Sequence, residues 1–197
     1  NRAERISSRL ANVTGGDNAI VRRNAATLVV GGINVDGDNV QVLSNRISDC
    51  GGSAAISVTG DNLAVSQNVV NQTWNDADGV SVDSRTLTGG GTVQGNRVTD
   101  AAGVGMRLDT VYNLIIASNR MMSSTEDNRA AFRLVGDTNL VSACVVVDAD
   151  NVGFLIEGNT NSLTDCTVTG ATEVGFLING GSNNALTDCR ASDCGLE

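Results

Sequence analysis

The sequence predicts an all-β chain wound as a parallel β-helix of about eight coils, each with three short strands. Three observations carry that expectation. The residue pool is rich in turn and strand formers, with 23 Gly, 22 Asn and abundant Thr, Val, Ser and Asp. Apolar residues alternate in short runs such as Ile56-Ser57-Val58 and Val80-Ser81-Val82, bounded by Gly and Asn. The third observation is that the whole pattern repeats along the chain.

The first strand of each coil is an apolar-x-apolar-x tetrad. It starts at Ala11, Ile33, Ile56, Val80, Met106, Phe132, Phe154 and Phe176, at spacings of 22 to 26 residues. A small residue precedes most of them, among them Gly32, Ala55, Gly79 and Gly105. The second strand is centred on Val21, Val42, Val65, Val93, Ile116, Val141, Leu163 and Leu186. Three residues later comes a turn column of Asn24, Asn45, Asn68, Asn96 and Asn119, continued by Cys144, Cys166 and Cys189. Two residues further, Ala26, Ile47, Val70, Val98, Met121, Val146, Val168 and Ala191 supply the inward side of a third strand.

Units this short lack the two-residue turns of hairpins and are smaller than propeller blades. Parallel stacking at about 4.8 Å per coil is the remaining solution, giving a rod of roughly 38 Å. Like residues then form ladders: Val and Ile inside, a Phe132/Phe154/Phe176 stack, and the Asn column. Asn suits that turn by tolerating a left-handed backbone and by bonding the next coil.

These three-strand coils, the Asn column and phrases such as Asn113-Leu-Ile-Ile-Ala-Ser-Asn119 resemble the pectin-lyase-like superfamily along nearly the whole chain. The resemblance implies a right-handed parallel β-helix. It leaves function open, because that superfamily holds polysaccharide lyases, glycoside hydrolases, epimerases, phage tailspikes and non-catalytic surface proteins. Asp76-Ala77-Asp78-Gly79-Val80 resembles the entry to the catalytic strand of polygalacturonases. The remaining motifs of that family, and those of pectate lyases, alginate epimerases and alginate lyases, have no counterpart in a chain without His, Lys or Pro.

Residues 1–197 read as one β-helix domain. Asn1-Arg2-Ala3 matches Asn45-Arg46-Ile47, so the chain opens in mid-coil, and it stops just before a ninth tetrad is due. That pattern fits a fragment of a longer solenoid, with Leu196-Glu197 compatible with a cloning scar. The five cysteines fall into two columns, Cys144/Cys166/Cys189 and Cys50/Cys194. A ladder of buried reduced thiols is the expectation. Stacked neighbours also lie within reach of a disulfide, 144–166 or 166–189.

The absences exclude function classes. Without His there is no Ser-His-Asp or Cys-His catalysis and no His-ligated metal; without Lys there is no Schiff base or P-loop. A net charge of −9 with five aromatic residues disfavours nucleic acid. No apolar run reaches the length of a membrane span.

Chemistry must therefore sit on outward positions of the first strands. The middle coils bring Asp83, Arg107, Asp109 and Arg133 to one surface, flanked by the insertions Ser84 to Gly91 and Ser123 to Arg129. These four are the candidate catalytic residues. Asp83 and Asp109, on adjacent coils, would lie about 5 Å apart, the separation of a retaining carboxylate pair. Their repulsion, about 3 kcal/mol at an effective dielectric near 20, would raise one of the two pKa values. In a lyase, Arg107 or Arg133 would instead neutralise a uronate carboxylate. Trp74, Asp76, Asp78 and Tyr112 are the candidate substrate-binding residues. The competing expectation is a surface ion-pair ladder of alternating sign.

No cofactor is expected. The one ion considered is Ca2+, at Asp36, Asp38 and Asp61 or at Asp76/Asp78/Asp83, without a dedicated loop spacing. Leu155 and Leu177 point outward on adjacent coils and offer a self-association contact, as do the solenoid ends. The first functional expectation is a non-catalytic or carbohydrate-binding β-helix of a secreted surface protein or viral tailspike. A polysaccharide lyase or glycoside hydrolase is the alternative, and an engineered or truncated solenoid without activity is the third. The expected location is extracellular, at a cell surface or on a virion.

Overall fold

The computed structural model describes residues 2–3, 6–87, 89–124 and 130–195, with side chains described from Arg9 onward. Asn1, most of the Ser123–Arg129 insertion and Leu196-Glu197 lie outside the described residues. Among the described residues there is no helix, and every strand pairing is parallel, in a solenoid of about eight turns.

Three faces run along the rod. On the first, Ala11 pairs with Ile33, Ile33 with Ile56, Ile56 with Val80 and Val80 with Met106. Phe132, Phe154 and Phe176 continue the column. The second face is a separate eight-stranded sheet carrying the Val21-to-Leu186 column. The third carries Ala26 through Ala191. Strand Ala25–Asp36 runs through the corner from third face to first, joining the two into one sheet. Arg2 and Ala3 pair with Ala25 and Ala26, so the described chain does begin on the third face.

The register follows from burial. A slip of one residue would turn every inward side chain outward, and the inward columns are nearly all fully buried, from Val35 to Val168. Phe132 and Phe154 sit with ring centroids 4.8 Å apart, Phe154 and Phe176 with centroids 5.1 Å apart.

The Asn column closes the corner between second and third faces, with one correction to the expected geometry. The left-handed residue is not the Asn but its predecessor: Arg23, Ser44, Gln67 and Ser118 have φ between 54° and 55°, and Gly95 replaces them once at 62°. Because the preceding residue makes the turn, the Asn side chain is free to point inward. Asn68 Oδ1 accepts from Asn45 N at 2.9 Å and from Asn45 Nδ2 at 3.0 Å, while Asn68 Nδ2 donates to Val42 O and to Asn96 Oδ1. The same bonds recur from Asn24 to Asn119, so a buried polar file is fully satisfied.

The five cysteines are free thiols. Cys144 and Cys166 are fully buried and extend the Asn file, with Cys189 partly exposed above them. Asn119 Nδ2 lies 3.8 Å from Cys144 Sγ where amide gives way to sulfur. Contact with Cys144 and burial push the Cys166 thiol up, and burial raises Cys50 to about 11.

Candidate functional site

The outward side of the first face is built by strands Asp78–Asp83, Met106–Tyr112, Ala130–Asp137 and Val152–Glu157. Alternation turns their apolar residues in and leaves Asp83, Arg107, Asp109, Arg133 and Glu157 half-buried on the surface. Register sets Asp83 beside Asp109 and Arg107 beside Arg133.

The side chains then choose partners. Arg107 Nε donates to Asp109 Oδ2 at 2.5 Å, and its Nη1 lies 3.5 Å from Asp78 Oδ2. Arg133 Nη1 donates to the other Asp109 oxygen at 2.6 Å, and its Nη2 to Glu157 Oε2 at 3.1 Å. Asn179 Nδ2 donates to Glu157 Oε1 at 3.0 Å. The result is a continuous ladder, Asp78–Arg107–Asp109–Arg133–Glu157–Asn179, in which each guanidinium lies between two carboxylates. Pairs of this kind on a half-exposed sheet contribute little stability each, but together they neutralise the strip.

Asp83 is the member left out. Its carboxylate has no hydrogen-bond or ion-pair partner among the described residues, though its backbone carbonyl accepts from Gly60 N at 2.9 Å. Burial raises its pKa above the ordinary aspartate value and the neighbouring Asp109 adds to the rise, while Arg107 opposes it.

The four candidate substrate-binding residues do not converge. Trp74 is half-buried at the corner before the first face, its ring lying across Gly51, where a Cβ would sit 2.6 Å from the ring. Asp76 is exposed in the same corner with φ of 56°. Asp78 is buried and accepts from Val104 N at 2.8 Å, so it fixes the next coil as well as Arg107. Tyr112 stands at the opposite end of the first-face strand, paired in register with Asp137.

Of the acidic residues considered for Ca2+, Asp36, Asp38, Asp61 and Asp78 are engaged otherwise. Arg85 folds down over two lower coils to pair with Asp36 and Asp38. The Asp61 carboxylate accepts from Arg85 N, Thr86 N and Thr86 Oγ1. Asp78 and Asp83 lie at opposite ends of one strand. Leu155 and Leu177 are neighbours in register and partly exposed. A cavity of about 310 Å³ lies away from the ladder, near Arg9, Gly31, Asn34 and Ser53.

Two features escaped the sequence reading. Arg85 was hidden inside an insertion, with no periodic position to reveal its reach. A second amide ladder, Asn139–Asn161–Asn184, closes the corner between first and second faces. Its signal was present, since each Asn stands two residues before the second-strand column at spacings of 22 and 23.

Against known proteins, a family model described as a periplasmic copper-binding protein (NosD) matches residues 5–160. No curated protein and no solved structure matches.

Proposed function

This chain belongs to the NosD family, and from that premise we propose that it is a non-catalytic β-helix of the cell envelope that binds a glycan without cleaving it. The observation supporting this reading is the closed ion-pair ladder. Arg107, Asp109 and Arg133 satisfy one another and their neighbours, so none is poised as acid, base or nucleophile. Hydroxyl-rich ligands suit a rigid rod whose outward positions repeat once per coil, a rise close to the length of one sugar residue.

Copper, which the family description names, does not fit the donor set described. The sequence has no His. Soft Cu(I) prefers thiolate and thioether ligands, and the three stacked thiols form a file rather than converging. Each donates to a backbone carbonyl, as Cys144 Sγ does to Ser142 O and Cys166 Sγ to Thr164 O. The contact between Cys144 and Cys166 lowers the first thiol and, with burial, raises the second, so the stacked pair favours one thiolate over two, whereas a soft metal needs several. Met106 and Met121 are sealed in the core. Among the described residues no three Cys, Asp or Glu side chains gather around a point.

A second reading, polysaccharide cleavage, draws on Asp83: it is unpaired, shifted toward the protonated form and adjacent to Asp109. A glycan array followed by reducing-end and ultraviolet-unsaturation assays separates the two. Binding without new ends or double bonds is the expected outcome. Release of reducing ends or unsaturated sugars, abolished by Asp83→Asn, would replace the binding reading with the enzymatic one.

A further inference from the structure

On the third face the arginines are arranged differently from those of the first. Arg46, Val69, Arg97 and Arg120 stand in one outward column, one per coil, with Arg97 and Arg120 adjacent in register. Neither Arg97 nor Arg120 has an acidic partner among the described residues. Their polar contacts are Arg120 Nε to Met122 Sδ at 3.2 Å, Arg97 Nη2 to the same sulfur at 3.7 Å, and Arg97 Nε to Thr99 Oγ1 at 3.5 Å. Arg97 is exposed and Arg120 half-buried.

This is not for want of acids. The chain carries 22 Asp and Glu against 13 Arg, and on the first face the ladder arginines and Arg85 all hold carboxylates. Ser48, Asn71, Thr99 and Met122 run beside the arginine column, and the acids of these strands, Asp49 and Asp100, stand one position further on at left-handed residues, where among the described residues neither pairs with Arg97 or Arg120. Two like charges held side by side repel, and a thioether neutralises neither. An arrangement that costs stability and leaves forked donors unfilled suits an external oxyanion, which guanidinium groups bind in bidentate fashion.

We propose that Arg97 and Arg120, extended by Arg46 two coils from Arg97, form a binding strip for a linear anionic polysaccharide bearing carboxylate or sulfate groups. The proposal rests on the binding reading above and gives it a face and a ligand charge. Charge complementarity selects an anion. The per-coil rise selects a chain that presents one group per sugar, and the neighbouring Ser, Asn and Thr side chains suit hydroxyls. Nucleic acid fits less well, because the strip's outward columns hold no aromatic residue on which a base could stack.

The test is calorimetric titration of the full chain with polyuronate, sulfated and neutral oligosaccharides and with single-stranded DNA, at two salt concentrations. The variants are Arg97→Gln/Arg120→Gln and, as a control away from this face, Arg85→Gln, whose arginine is held by Asp36 and Asp38. One or both anionic glycans should bind more weakly at higher salt, the two arms showing whether carboxylate or sulfate is preferred. The double variant should lose about tenfold or more in affinity, the worth of one charge-assisted contact, and Arg85→Gln should lose none. The double variant should also melt no lower than the parent, since a repulsion has been removed. Absence of binding by either anionic glycan, equal binding by the double variant, a lowered melting temperature in it, or tighter binding of DNA overturns the proposal. Binding of a neutral glycan unaffected by the double variant overturns the strip but leaves the binding reading standing. Cleavage of a glycan held by the strip does the reverse.

Discussion

Single residues show how little slack the coils leave. Gly136 has φ of 145°, and a Cβ there would lie 1.9 Å from Val111 O of the coil below. Both the backbone region and the contact exclude a side chain, so Gly136→Ala should cost at least about 3 kcal/mol in denaturant unfolding or prevent folding. Asp83 is the opposite case, a residue the fold tolerates rather than uses. Its folded pKa is raised, so the native state binds its proton more tightly than the unfolded chain does. The penalty is fully present at neutral pH and is relieved as pH falls through the raised pKa. Asp83→Asn should therefore stabilise the protein at pH 7, by less than about 1 kcal/mol given solvent screening. The gain should shrink as pH falls through the raised pKa and vanish below 3.8, the ordinary value, in unfolding curves taken across that range.

Ladders are the elements of this fold, and two of them differ in what they contribute. The buried amide file is stabilising because nothing else can satisfy its members. Asn68→Ala would strand Asn45 N, one N–H of Asn45 Nδ2 and Val42 O, while Asn96 Oδ1 would keep only the backbone N–H of residue 68. At about 1–3 kcal/mol per unsatisfied buried group, partly relieved by water, a loss of about 3 kcal/mol or more is expected in equilibrium unfolding. The ion-pair ladder lies in contact with solvent. Arg133→Gln should cost less than about 1 kcal/mol, and less again in high salt, even though it breaks two charged contacts. A large, salt-independent loss in that variant would show that the first face is held together by its charges.

Across the whole molecule, position along the rod sets the cost of a core change, because each coil is packed only by its neighbours. Phe132 is fully buried between the Met106 and Phe154 coils, and Phe132→Ala should cost about 3–5 kcal/mol. Phe176 repeats the same position one coil beyond Phe154, yet is only partly buried in the 197-residue chain. Phe176→Ala should cost markedly less, and thermal unfolding of the two variants gives the ratio directly. The arginines are also divided by face: Arg107 and Arg133 on the first hold carboxylates, whereas Arg97 and Arg120 on the third touch a thioether and a hydroxyl.

What the sequence determined by itself was everything that repeats. Coil number, the register of the first, second and third columns, and the stacking of Asn on Asn at one corner were all legible, because a parallel stack places like residue on like and the hydrophobic period admits one register. Asp83 and Asp109 could be placed side by side on that basis. Only the tertiary structure decided where each charged side chain ends. Arg107 reaches Asp78 and Asp109 and passes over Asp83, Arg85 doubles back to Asp36 and Asp38, and Arg97 and Arg120 find no acid. Backbone register fixes the Cα neighbours of a long flexible side chain, but its partner is chosen by three-dimensional distance among several acids within reach. The left-handed turn lay one residue from its expected place for a related reason. An Asn whose amide is drawn into the core leaves the turn to its predecessor, and that exchange is set by burial, which a one-dimensional pattern does not record.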